Sequence, residues 1–88
     1  MAVKKVIKFY ATWCGPCKVY GKVWDKVVEE KKSEDIEFVN IDVEKDTTGL
    51  AAQYKVTNIP HTVIISEGGD TVQKGGRLTK QELLELLN

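Results

Sequence analysis

Val6-Ile7-Lys8-Phe9-Tyr10-Ala11-Thr12-Trp13-Cys14-Gly15-Pro16-Cys17-Lys18 is the stretch that decides how this 88-residue chain folds. The segment Val3–Tyr10 is rich in β-formers. Its apolar residues are nearly continuous, with Lys8 as the interruption, so it reads as a strand covered on both faces, as in a parallel sheet. Thr12–Pro16 breaks the strand, and a helix is expected to run to about Lys32. Val19, Tyr20, Val23, Trp24, Val27 and Val28 form its apolar stripe, and Lys18, Lys22, Asp25, Lys26, Glu29 and Glu30 its solvated face. The only two cysteines therefore fall where a strand ends and a helix begins.

That junction has chemical consequences. Deep inside a helix, side chains three apart have Cβ atoms about 5–6 Å from each other, whereas a disulfide needs about 3.5–4.5 Å. At a helix start the first cysteine is not yet helical and the pair can close. Pro16 suits the first turn because it lacks an amide that would be orphaned there, and Gly15 lets the backbone approach closely. Free amides at a helix start stabilise a thiolate, the form that attacks disulfides. The helix dipole alone contributes about 0.3–1 kcal/mol, less than the roughly 1.4 kcal/mol of a single pKa unit, so direct hydrogen bonds or a nearby cation must add to it. The expected asymmetry is an exposed, attacking Cys14 and a buried, resolving Cys17.

Working outward, Ile36–Val43 reads as a second strand, followed by the acids Asp42, Glu44 and Asp46, read as a solvated loop. A short helix is expected over Gly49–Tyr54 with Thr47 or Thr48 as its cap. Thr62–Ser66 and Thr71–Lys74 are strands joined by Glu67-Gly68-Gly69-Asp70, a hairpin signature. In the last helix Thr79 and Glu82 have capping-box spacing, Leu78 and Leu83 staple spacing, and Leu83, Leu84, Leu86 and Leu87 form the apolar face. The order βαβ-α-ββα predicts one α/β domain over residues 1–88, a four-stranded mixed sheet flanked by helices.

Thirteen basic residues balance thirteen acidic ones. A neutral chain argues against nucleic acid as the main partner. Lys4, Lys5 and Lys8 interrupt the apolar start, and Val63-Ile64-Ile65 is far short of a membrane span, so a soluble, cytoplasmic monomer is expected. Two cysteines and one histidine fall short of a four-ligand zinc set, so no metal site is expected.

The Trp-Cys-Gly-Pro-Cys-Lys stretch resembles the active site of thioredoxins, and the similarity extends over nearly the whole chain. Phe38–Asp42 resembles the family's next strand and Leu50–Tyr54 its following helix. Ile59-Pro60 matches its cis-proline position, Gly76 a glycine near its substrate groove, and Leu78–Leu87 its closing helix. The resemblance implies a minimal thioredoxin fold without the family's extra N-terminal strand and helix. It implies that Cys14 and Cys17 cycle between dithiol and disulfide with no bound cofactor, Trp13 lying as a surface lid beside Cys14. By the same token, cis Pro60 packs beside the disulfide and blocks metal capture, while the Ile59 backbone pairs with an extended substrate.

Departures from the family are equally specific. About three residues are inserted before Gly49, and Lys22 replaces a helix-kinking proline. Lys8 stands where the family commonly has a buried carboxylate that helps Cys17 lose its proton. Either Lys8 points beneath the site and favours thiolates, or its amine snorkels to the strand edge. His61 stands where a smaller residue is usual, either at the rim of the site or as a solvent-facing loop histidine. The expected function is a protein-disulfide oxidoreductase acting on disulfide-containing proteins, with a thioredoxin reductase or the glutathione system as electron donor. The alternatives are a glutaredoxin-like reductase and a non-catalytic metal-binding or interaction module.

Overall fold

Strand β1 (Val3–Tyr10) lies inside the sheet, which is why its residues 6 to 9 are all buried, lysine included. The computed structural model describes residues 2–88. From β1 the chain enters α1 (Gly15–Lys31), crosses to β2 (Glu37–Asp42), and continues through α2 (Leu50–Gln53), β3 (His61–Ser66), β4 (Thr71–Gly75) and α3 (Lys80–Leu87). The strand order is β2-β1-β3-β4, with β1 and β2 parallel and the other neighbours antiparallel. The expected mixed sheet, flanking helices and element order are thus present among the described residues.

Two apolar layers follow from the alternation of side chains along β1. Val6 packs with Tyr20, Trp24 and Val27 of α1, Ile64 of β3, and Leu83 and Leu87 of α3. Ile7 and Phe9 pack on the opposite face with Ile41 and Val63, under Leu50, Ala51, Tyr54 and Val56. Capping fixes where α3 starts. The Glu82 amide donates to Thr79 Oγ1 at 3.1 Å, and the Thr79 amide donates to Glu82 Oε1 at 2.9 Å. Leu78 and Leu83 both enter the core, as the staple spacing implies.

Local corrections have physical causes. Val19 is 49% exposed, because the buried line of α1 runs Cys17, Tyr20, Trp24, Val27, and Val19 lies off it. Gly49, at φ 79°, holds the N-cap position of α2 with no side-chain cap, while Thr48 Oγ1, one residue earlier, accepts the Leu50 amide at 3.1 Å. The Asp46 carboxylate adds to this from further back, accepting from the amides of Thr48 (2.8 Å) and Ala51 (3.0 Å). These bonds, with that of the Thr48 hydroxyl first, hold Asp46 below its usual pKa. Asp46 is therefore a structural acid and not merely a solvated one. β2 is shorter than Ile36–Val43, although both end residues still pack against the core.

Candidate active site

Cys14 is the N-cap of α1, with extended backbone (φ −81°, ψ 112°), and Pro16 sits in the first turn. This half-in position brings its Cα to 5.2 Å from that of Cys17, and the two sulfurs are joined as a disulfide. The Cys17 amide donates to Cys14 Sγ at 3.1 Å, in the place where a serine or aspartate oxygen would cap an ordinary helix. No acid occupies the first turn, so the positive end of the helix is left to the sulfur.

The expected difference in exposure is not found. Cys14 and Cys17 are each 4% exposed, because Ala11, Tyr10, Val43 and Ile59 close over the bridge. What distinguishes them is polar environment: Cys14 Sγ receives the amide and lies 3.9 Å from the Ile59 carbonyl oxygen. Beside them Trp13 is 66% exposed. With Val43, Ala51, Lys55, Val56 and Ile59 it lines an open groove of about 440 Å³.

The Ile59–Pro60 peptide bond is cis, and Pro60 is buried. The Pro60 carbonyl accepts the Gly76 amide at 2.8 Å, which brings the β4–α3 turn to the same edge of the sheet. Gly76 has φ 83°, a backbone region favourable to glycine, so its identity follows from the turn. Behind this edge, Tyr20 and Thr62 are both fully buried and share a 2.7 Å hydrogen bond. Burial pushes the Tyr20 phenol up to about 12, against a smaller opposing effect of that bond. Sequence reading assigned Tyr20 to the core but did not find Thr62 as its partner. A hydroxyl on an otherwise apolar strand was the available signal.

Lys8 points inward from β1 and is only 8% exposed. Its Nζ lies 5.2 Å from the centre of the Trp24 ring and 5.3 Å from that of Tyr10, whose ring also packs against the cysteine cluster. A Cβ built on Gly21 would stand 3.9 Å from the amine, so the ammonium reaches α1 one turn beyond Cys17. Burial lowers the Lys8 pKa, and the negative charge of Asp25 opposes the change. His61 is not a loop residue. It opens β3 between Phe9 and Gly75, half-buried, with its ring 6.2 Å from that of Phe9 and Nε2 2.8 Å from Gln73 Oε1. Among the described residues, no group of three or more His, Cys, Asp or Glu side chains is placed to hold a metal ion.

Comparison with known proteins agrees with this geometry. The family model described as thioredoxin matches residues 2–88. A thioredoxin of Mycoplasmoides gallisepticum is 37% identical over 84 residues, which is 96% of this chain and 81% of the relative. A mitochondrial thioredoxin of Bos taurus is 36% identical over 80 residues, 91% of this chain and 46% of that longer protein. Among solved structures, thioredoxin of Fasciola hepatica superposes with a TM-score of 0.82 at 29% identity, covering 98% of this chain and 78% of that one. Oxidised mitochondrial thioredoxin 3 of Saccharomyces cerevisiae gives 0.82 at 31% identity, covering 99% and 78%. With the paired cysteines at the start of α1 and a match along the described length, the chain belongs to the thioredoxin family and is a thiol–disulfide oxidoreductase.

Proposed function

We propose that this chain works as a reductant of protein disulfides, with Cys14 as nucleophile and Cys17 as resolving thiol. The observation that carries the assignment is the Cys17 amide aimed at Cys14 Sγ. A negative sulfur at position 14 gains a charge-assisted hydrogen bond and the helix start, neither of which position 17 receives from these groups. The Cys14 thiolate attacks one sulfur of the substrate, forming a mixed disulfide while the other substrate sulfur leaves as thiolate and takes a proton. Cys17, deprotonated, then attacks Cys14 Sγ. The Cys14–Cys17 bridge forms, the second substrate thiolate departs, and the substrate has gained two electrons and two protons. A dithiol donor outside this chain restores the reduced pair.

The substrate surface in this reading is Trp13, the Ile59 backbone, Pro60 and Gly76, bordered by His61. An extended segment laid along Ile59 would pair by main-chain hydrogen bonds. Lys8 acts as a positioning residue. Gly21 is four residues past Cys17, so its Cβ position lies about 5–6 Å from that of Cys17 and the ammonium within about 10 Å. At an effective dielectric of about 20 to 80, that separation favours a thiolate by roughly 0.4–1.7 kcal/mol, about 0.3–1.2 pKa units.

A dithiol carrier belongs in a reducing compartment, and we assign the chain to the cytosol as a monomer. The test is turnover of a protein disulfide with NADPH and thioredoxin reductase, set against NADPH, glutathione and glutathione reductase. The proposal expects the first system to support faster turnover. Faster turnover with glutathione would transfer the chain to the glutaredoxin-like alternative.

A further inference from the structure

Acids border the redox face of this neutral chain where Asp42 and Glu44 flank Val43. Three further segments contribute to that face: residues 11–23, 47–66 and 71–81, together half the chain. They contain none of its thirteen Asp and Glu residues, yet they hold Lys18, Lys22, Lys55, Lys74, Arg77 and Lys80. The three segments meet at the sulfurs. Cys14 Sγ lies 3.9 Å from the Ile59 carbonyl oxygen, and the Gly76 amide donates to Pro60 at 2.8 Å.

Two of the six cations are engaged with acids of α1 or α3. Lys80 pairs with Glu30 at 2.6 Å, and Lys74 lies close enough to Glu82 to lower its carboxyl pKa. By contrast, Lys18, Lys55 and Arg77 are exposed, and among the described residues none has a carboxylate within ion-pair distance. They surround the site. Lys18 follows Cys17 directly, and Lys55 borders the groove that contains Trp13 and Ile59. Arg77, the only arginine in the chain, follows Gly76 and borders a second hollow of about 310 Å³ with Val19, Val23 and Leu78. Each of these two apolar depressions therefore has an unpaired cation at its edge.

We infer that this face selects disulfides carried on protein segments with Asp or Glu within a few residues of the reacting cysteine, read by Arg77, Lys18 and Lys55. The inference rests on the disulfide-reductase reading and adds a substrate class to it. Carboxylates fit because they supply the counter-charge that Lys18, Lys55 and Arg77 lack, and a guanidinium binds them through two parallel hydrogen bonds. Attraction between these opposite charges also speeds encounter and weakens as salt rises.

The experiment compares the reduced full chain acting on three cyclic disulfide peptides that differ only at the flanking positions: Asp, Asn or Lys. Second-order rate constants are measured at low salt and at about 0.3 M salt. An exposed pair contributes up to about 1 kcal/mol, so the Asp peptide is expected to react about two- to fivefold faster than the Asn peptide, and the Lys peptide slowest. The Asp-to-Asn ratio is expected to fall towards one at high salt and in the triple variant Lys18→Gln, Lys55→Gln, Arg77→Gln. In Arg77→Glu the order of the Asp and Lys peptides should narrow or invert. A wild-type ratio of one, or a ratio unchanged in these variants, overturns the inference while leaving the disulfide-reductase reading intact. Failure of the wild type to reduce any of the three peptides overturns both.

Discussion

Tyr20 Oη and Thr62 Oγ1 lie 2.7 Å apart, buried, and this one bond ties the helix that carries Cys17 to the strand that follows Pro60. The two halves of the redox site are thus fastened together from behind, on the side of the sheet that faces α1 and α3. Tyr20 also meets Trp24 edge to face, with ring centres 6.3 Å apart, and Trp24 meets Phe38 at 5.6 Å. Helix, strand and hydroxyl pair therefore form one packed unit beneath the sulfurs.

Removing the phenol hydroxyl leaves Thr62 without its partner in a place water does not reach. Tyr20→Phe is expected to cost about 1–2 kcal/mol, a fall in Tm of several degrees for a chain of this size. Thr62→Val, which strands the phenol instead, should cost a similar amount. The double variant should cost less than the two single changes added, as a thermal-melt cycle would show. The phenol's pKa of about 12 lies above its ordinary 10.0, so the unfolded chain loses this proton first. The stability involved is fully present below pH 10 and declines as pH rises towards 12, a dependence Tyr20→Phe should lack.

Lys8→Met provides two independent readouts. In the reduced protein, loss of the buried ammonium should raise the thiol pKa of the redox pair by about 0.3–1.2 units, measured by the pH dependence of alkylation. In the oxidised protein the cysteines do not titrate, and Lys8 can be followed through stability. Its pKa is lowered on folding, so between the folded value and 10.5 the unfolded chain binds the extra proton. Stability of the wild type relative to Lys8→Met should therefore improve as pH rises through that interval. Unchanged thiol pKa values in Lys8→Met would leave Lys8 with a packing role only.

Thr79→Ala removes one half of the reciprocal cap on α3. It is expected to cost about 1 kcal/mol, and Thr79→Ser much less, by denaturant unfolding. The Glu82 carboxyl is held below its ordinary pKa by the Thr79 amide and hydroxyl. Its contribution is present above pH 4.5 and is lost as pH falls, so the gap between wild type and Thr79→Ala should narrow in acid.

Features governed by neighbours in sequence were legible before the fold was known. β1 has the bounds that its run of β-formers implies, the Thr79–Glu82 cap forms, and Gly69 takes the positive φ of the hairpin turn at 94°. Features governed by packing were not. The closure of Ile59, Tyr10 and Val43 over the bridge, which buries Cys14, depends on residues up to 45 positions away. Lys8 could be placed beneath the site or at the strand edge until Trp24, Tyr10 and the missing side chain of Gly21 defined its cavity. At α2 the sequence offers the adjacent threonines, of which Thr48 takes the Leu50 amide, whereas the reach of Asp46 over five residues is a property of the folded loop. The acid-free segments were visible in the sequence, but only the meeting of their ends at Cys14 and Pro60 gives them meaning.

Trapping of a covalent intermediate tests the division of labour between the two sulfurs. Cys17→Ser, reduced and then mixed with a disulfide-containing protein such as insulin, should accumulate a mixed disulfide through Cys14, identified by mass spectrometry, and should not turn over. Cys14→Ser should form no such adduct at a comparable rate. An adduct on Cys17, or sustained disulfide reduction by Cys14→Ser, would contradict the assignment of Cys14 as the attacking sulfur.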